Sequence, residues 1–100
     1  MSNFVVVTRH SALVDYLVET GLCPASIEVV SHANEETVAE KNVIGVLPLR
    51  LAAKAASITE VPLNIPPHLR GVELTLEQIR QYAGKPATYV VRQEFLVKGE

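Results

Sequence analysis

The stretch FVVVTRHSALVDYLVETG, residues 4–21, contains two successive patterns that decide the fold. Phe4–Thr8 is a continuous run, β-branched from Val5 onward, which is typical of a strand buried on both faces of a parallel sheet. From Ser11 onward, apolar residues recur at three- and four-residue spacing, which indicates an amphipathic helix. Ser11 is the expected N-cap of this helix, and Gly21 lies where a C′ glycine belongs. The chain therefore opens with a strand that leads directly into a helix.

The same alternation continues to the end of the chain. Further strands are predicted at Ile27–Ser31, Asn42–Leu47, Thr59–Ile65 and Thr88–Val97, and further helices at Asn34–Lys41, Leu49–Ser57 and Thr75–Tyr82. Pro62 interrupts the fourth strand, which favours an edge position or a strand end. Thr75 and Gln78 form a capping-box pattern at the start of the last helix. Strands that alternate with helices predict an α/β fold, a Rossmann-like three-layer sandwich with a mainly parallel five-stranded sheet.

Length and composition restrict the class of protein. The 100 residues predict one domain, residues 1–100, and a hydrophobic fraction of 48% excludes intrinsic disorder. A net charge of -2 argues against binding to long nucleic acid, which requires a basic face. The apolar runs are far shorter than the roughly 20 residues of a membrane span, and the amino terminus has no signal-peptide pattern. We therefore expect a cytoplasmic protein that binds neither long nucleic acid nor membranes.

Neither a metal nor an organic cofactor is predicted. Cys23 is the single cysteine, which excludes an internal disulfide and a multi-cysteine zinc site, and we expect it to have a structural role. The histidines show neither HxH nor HExxH spacing, and no glycine-rich phosphate loop is present.

Basic residues and histidines follow the predicted strands, where ligands bind in open α/β sheets. Arg9 and His10 precede a helix N-terminus, which favours an anion, although a solvated capping loop would have the same pattern. His32 follows the second strand. It is either a hydrogen-bonded structural residue or, if it lies beside His10, a catalytic residue. Arg50 and Lys54 lie one helical turn apart and face either a ligand or solvent.

Four features of the sequence, three segments and one histidine, resemble a family of small accessory proteins from type III CRISPR loci. They are VTRHSA at residues 7–12, His32, NVIGVLPLRLAA at residues 42–53 and LRGVELT at residues 69–75. The family pattern runs approximately TRHxGA, then GxLPxxLAA, then RGxELT. The sequence departs from it at Ser11 and Ala12 in the first loop and at Val46, where Thr is frequent.

This resemblance implies a CARF-like domain that binds cyclic oligoadenylate as a homodimer. It also implies a metal-independent ring nuclease. The expected substrate is cyclic tetra-adenylate, which the enzyme would open to linear products with 2′,3′-cyclic phosphate ends. Some related proteins only bind the messenger, so a sponge or sensor is the alternative. On this basis the expected catalytic residues are Arg9, His10 and His32, and the expected ligand-binding residues are Thr8, Ser11, Gly45, Leu47, Pro48, Leu49, Arg50, Lys54 and Arg70.

Overall fold

The computed structural model describes residues 3–96, which form a five-stranded sheet flanked by helices. The predicted domain 1–100 and the predicted strand ending at Val97 extend past this range, so Met1, Ser2 and residues 97–100 lie outside the described residues. In chain order the elements are β1 Phe4–Val7, α1 Ser11–Glu19, β2 Glu28–Val30, α2 Glu35–Val38, β3 Asn42–Gly45, α3 Leu49–Ala52, β4 Ser57–Glu60, a 3-10 helix Pro67–Leu69, α4 Leu76–Tyr82 and β5 Ala87–Tyr89.

The sheet has the strand order β2-β1-β3-β4-β5. The pairs β1–β2, β1–β3 and β3–β4 are parallel, and β5 is antiparallel to β4. The predicted α/β class with a mainly parallel five-stranded sheet is confirmed.

Helices cover both faces of the sheet because successive residues of the central strands point to opposite sides. On one face, Val6 of β1 and Ile44 of β3 pack with Leu17 of α1, and α1 in turn packs against α4. On the other face, Val5 packs with Val38 of α2, and α2 contacts α3. These three layers place the carboxyl ends of the four parallel strands at one edge of the sheet.

Helix α1 begins one residue earlier than predicted. His10, not Ser11, is the N-cap residue, and its side chain makes no capping hydrogen bond. The backbone N–H of His10 instead donates to Thr8 Oγ1 at 3.1 Å, which turns the chain out of β1 before the helix starts. The predicted C′ position of Gly21 is confirmed: its φ is +79°, and the bonds from the Gly21 and Leu22 N–H groups to Val18 and Leu17 form a Schellman motif.

The predicted helix Leu49–Ser57 is wrong in its second half, since α3 ends at Ala52. The chain leaves the helix because the Ala56 N–H donates to the carbonyl of Lys41 at 2.8 Å. Ser57 already belongs to β4, where its hydroxyl donates to Asn42 Oδ1 at 2.7 Å. The connection between the adjacent parallel strands β3 and β4 therefore contains only the short helix α3.

The last two strands are also shorter than predicted. The strand predicted at Thr59–Ile65 ends at Glu60, because Pro62 has no N–H to donate to a neighbouring strand. The strand predicted at Thr88–Val97 is a strand only over Ala87–Tyr89. Among the described residues, the backbone of 90–96 joins no ladder.

Cys23 is buried beside Leu17 and Ile44 on the α1 face of the sheet. Burial raises the pKa of its thiol, as expected for a structural cysteine. Among residues 3–96, no helix has the length and apolar character to cross a membrane.

Candidate functional site

The chain reverses its direction of winding between β1 and β3. From β1 it passes through α1 to β2 at one edge, whereas from β3 it passes through α3 toward β4 and β5. A crevice opens beyond the carboxyl ends of two strands whose connections leave in opposite directions, and ligands of open α/β sheets bind there. A cleft of about 310 Å³ occupies this point, and we call it the switch-point cleft. Its lining includes Thr8, Arg9, His10, Ser31, Gly45 and Leu63.

Gly45 keeps the floor of this cleft open. It pairs with Val7 in the parallel β1–β3 ladder and has a φ of +147°. A β-carbon at this position would lie 2.4 Å from the carbonyl oxygen of Val7, closer than any side chain tolerates. Glycine is therefore required where β1 and β3 end side by side.

Arg9 and His32 meet across the ends of β1 and β2. The Arg9 guanidinium lies 3.4 Å from His32 Nδ1. Arginine has no acceptor, so this contact forms only when Nδ1 of His32 is unprotonated and accepts. In neutral His32 the proton is then on Nε2, which is left as a donor.

His10 contacts a different partner, Glu73, at a distance of 3.4 Å between Nδ1 and Oε2. A carboxylate only accepts, so Nδ1 of His10 is the protonated nitrogen. Neutral His10 then has a free lone pair on Nε2. The two histidines at this edge are therefore held in opposite tautomers, one prepared to donate from Nε2 and the other to accept a proton there.

Two further clefts adjoin the Thr8–His10 loop. One, of about 240 Å³, lies between His10 and the segment Gly71–Leu74. The other, of about 490 Å³, lies on the β2 side of the loop and includes Ser11 in its lining. Arg9 and His10 are exposed residues, so both present their side chains where a ligand can reach them.

A comparison with protein families places most of the chain in a known family. The family model described as "Putative CRISPR-associated protein (Cas_VVA1548)" matches residues 5–92. The chain belongs to this CRISPR-associated family. The family match runs from β1 to beyond β5 and includes the whole switch-point cleft. No curated protein and no solved structure matches the chain.

In this CRISPR-associated protein, the structure brings together only some of the residues expected at the site. Thr8, Arg9, His10 and Gly45 line the switch-point cleft, and His32 joins them through Arg9. Leu47, Pro48, Leu49 and Arg50 follow the carboxyl end of β3. Leu47 packs with the α2 and α3 face, and Leu49 and Arg50 line a separate cleft with residues 91–94.

Lys54 and Arg70 lie apart from this cluster. Lys54 is beyond the end of α3, where its carbonyl accepts from the Glu40 N–H and its ammonium lies 3.8 Å from Glu35 Oε2. Arg70 follows the 3-10 helix and is exposed. Neither side chain lines the switch-point cleft.

The residue that sequence reasoning missed is Glu73. It is 63 positions from His10, and no local pattern predicts that the two side chains meet. The one available signal is its place in the LRGVELT segment, directly before the capped helix α4. Among residues 3–96, no group of three or more His, Cys, Asp or Glu side chains is arranged to hold a metal ion.

Proposed function

We propose that this CRISPR-associated protein binds cyclic oligoadenylate and opens its ring, and thereby switches off type III antiviral signalling in the cytoplasm. The observation that supports this proposal best is the cluster of Arg9, His10 and His32 at the switch-point cleft, with the histidines in opposite tautomers. An anionic phosphodiester with an adjacent hydroxyl fits one cation, one proton acceptor and one neutral donor. The CRISPR-associated family supports a ligand of CRISPR signalling.

His10 is the proton acceptor in the proposed reaction. Its Nε2 takes the proton of the ribose 2′-hydroxyl, and the 2′ oxygen attacks the adjacent phosphorus. The bond between phosphorus and the 5′ oxygen breaks, and the 5′ oxygen takes a proton from water. The products are a 2′,3′-cyclic phosphate and a 5′-hydroxyl, and His10 returns its proton to solvent.

Arg9 and His32 stabilise charge in the same step. The Arg9 guanidinium has five N–H donors, so it can contact His32 and still donate to a phosphoryl oxygen. The Nε2–H of His32 supplies a neutral donor to the oxygens on which negative charge develops. No metal takes part in this proposed reaction, and the protein contributes mainly by placing the 2′ oxygen in line with the leaving group.

The ligand is expected to lie between two copies of the chain. The switch-point cleft, at about 310 Å³, is near the lower limit of the roughly 300–1,000 Å³ that ligand pockets occupy, and it suits one nucleotide better than a whole ring. Cyclic tetra-adenylate is two-fold symmetric, and a two-fold homodimer presents two equivalent sets of residues to it. Thr8, Ser11 and the backbone of 47–49 would contact its sugars and phosphates, with Arg50 as a further cation.

The proposal is tested by incubating the protein with cyclic tetra-adenylate in EDTA and separating the products. Linear oligoadenylate with 2′,3′-cyclic phosphate ends supports the ring nuclease. An intact ring that stays bound identifies the alternative, a sponge or sensor. Absence of both binding and cleavage, with cyclic hexa-adenylate also tried, would overturn the proposed ligand class.

A further inference from the structure

The segment Val90–Leu96, which we call the C-terminal tail, has the sequence of a strand but no strand partner. Its residues follow β5, and their backbone groups form no backbone–backbone hydrogen bond with other residues within 3–96. Val90, Phe95 and Leu96 are 78%, 83% and 96% exposed. Apolar side chains beside unpaired backbone groups are typical of a strand that pairs with another chain.

The tail is complementary to itself in the antiparallel direction. If two copies pair with Gln93 opposite Gln93, Arg92 of each copy lies opposite Glu94 of the other. In the same register Val91 lies opposite Phe95, and Val90 lies opposite Leu96. Every pair in this register therefore matches, since opposite charges and apolar side chains that face each other across strands are both stabilising.

We propose that two copies of this chain associate through their C-terminal tails, as an antiparallel strand pair whose two-fold axis passes at Gln93. The proposal deepens the homodimer of the proposed function by naming its contact surface. It explains why the sequence pattern indicates a strand well beyond Tyr89, whereas β5 of one copy ends there. The missing ladder is supplied by the second copy.

Charge favours a second copy over an unrelated partner. Within one copy, Arg92 and Glu94 already form an ion pair on the same side of the tail. The tail has no net charge, so two tails approach each other without repulsion. On pairing, each of these side chains gains an opposite charge across the interface, and none is left facing its own sign.

Exposed apolar side chains adjoin the tail and extend the surface that a second copy would cover. Val46, Leu49 and Tyr89 are large exposed hydrophobics, and together with Val90 they line one cleft beside α3. With Phe95 and Leu96 they make six exposed apolar side chains that a second copy would cover. An antiparallel pair of identical segments is also isologous, as a closed dimer requires.

The tail also lies beside two expected ligand-binding residues at the start of α3. Val91, Arg92, Gln93 and Glu94 form one cleft with Leu49 and Arg50. A two-fold axis at Gln93 places the two Arg50 side chains on either side of the same axis. The dimer contact would then bring Arg50 of both copies close to the same interface.

Charge reversal tests the register directly. We expect the wild-type protein to sediment as a dimer without nucleotide. Arg92→Glu alone places two pairs of carboxylates opposite each other, and Glu94→Arg alone places two pairs of guanidinium groups opposite each other. Each variant should raise the dimer dissociation constant about tenfold or more. An equimolar mixture of the two variants should form heterodimers, because every opposed pair then has opposite signs.

The mixture separates pairing between chains from the ion pair within one chain, since neither variant can form the latter. Glu36→Arg on α2 has the same change in charge as Glu94→Arg and should leave the dimer intact. Circular dichroism establishes that each variant is folded. A monomeric wild type, single variants that dimerise like wild type, or a mixture without heterodimers would overturn the proposal. Because no nucleotide is present, these outcomes are independent of the cleavage assay.

Discussion

Arg9 and His32 are 23 positions apart in the chain, yet their side chains meet at 3.4 Å across the ends of β1 and β2. The contact depends on the parallel register that pairs Val7 with Val30, because each residue follows its strand by two positions. It gives the Arg9 guanidinium a fixed direction at the edge of an open cleft. It also determines which nitrogen of His32 is left to face a ligand.

His10→Ala should slow turnover severely while ligand binding is kept. Loss of a general base costs about 10²–10⁴-fold in rate, and the remaining cationic contacts still hold the ring. Single-turnover cleavage of cyclic tetra-adenylate, together with the dissociation constant, measures both effects. His68→Ala, in the exposed 3-10 helix, is the matched control. A wild-type rate in His10→Ala would remove the role assigned to this residue.

Glu73→Ala should lower the rate about tenfold, less than His10→Ala does, because Glu73 acts only by holding the tautomer and orientation of His10. The double variant supplies the control. If Glu73 acts through His10, its removal from a His10→Ala protein should have no further effect on rate. Full additivity of the two changes would show that Glu73 has a separate role.

Arg9→Ala should weaken ligand binding about 10–100-fold, the range expected for loss of one charge-assisted contact to phosphate. Arg9→Lys should recover only part of this affinity, because an ammonium lacks the fork of donors that contacts His32 and phosphate together. Isothermal titration of wild type and variants gives the dissociation constants. Lys85→Ala, an exposed cation in the turn after α4, controls for the general effect of charge. Equal losses at both positions would contradict a specific contact by Arg9.

Gly45→Ala should destabilise the fold by about 2 kcal/mol or more, because its β-carbon meets the backbone of Val7 in a conformation that favours glycine. Gly21→Ala has a comparable backbone penalty, but no atom lies within 4 Å of its β-carbon. That control should cost only about 1 kcal/mol. Urea unfolding gives both values, and equal losses would mean that β1 and β3 can separate to accept a side chain.

The ion pair between Glu19 and Arg80 should make the free energy of unfolding depend on pH in the acid range. The hydrogen bond from Arg80 lowers the pKa of Glu19 below its ordinary value of 4.5. A carboxyl whose pKa is lower in the folded than in the unfolded state stabilises the fold fully when the pH is above its unfolded-state pKa. This contribution is lost as the pH falls through the folded-state pKa. Wild type should therefore exceed Glu19→Gln in stability at pH 7, and the difference should shrink below about pH 4.5.

Thermal unfolding at several pH values measures this difference. Glu36→Gln, at an exposed carboxyl with no ion pair in the described part of the chain, serves as the control. A gap between wild type and Glu19→Gln that stays constant down to pH 3 would contradict the pKa shift.

The sequence predicted the order of elements and the class of the fold because both depend on local patterns. Apolar runs identified the central strands, and Thr75 with Gln78 identified the start of α4. Lengths were predicted less well. The end of α3 is decided by the hydrogen bond from Ala56 to Lys41. Strand β5 ends at Tyr89, opposite Ile58, because β4 begins only one residue earlier, at Ser57.

The sequence predicted the location of those candidate site residues that directly follow a strand, because the positions of strand ends can be read from local patterns. Arg9 and His10 follow β1 and lie in the cleft, since strand tips converge at one edge of a parallel sheet. Lys54 was grouped with Arg50 on the assumption of a longer helix, and the early end of α3 separates them. Glu73 reaches His10 through the packing of α4 on α1, which no short window of sequence contains.

Leu13 of α1 packs both against the sheet cluster around Leu17 and against the cluster that holds α4. His10 caps the same helix, so the position of its imidazole depends on α4 as well as on β1. Warming that loosens α4, which packs against α1, would displace His10 and Glu73 while the sheet is still intact. Thermal inactivation of the protein would then precede its global melting.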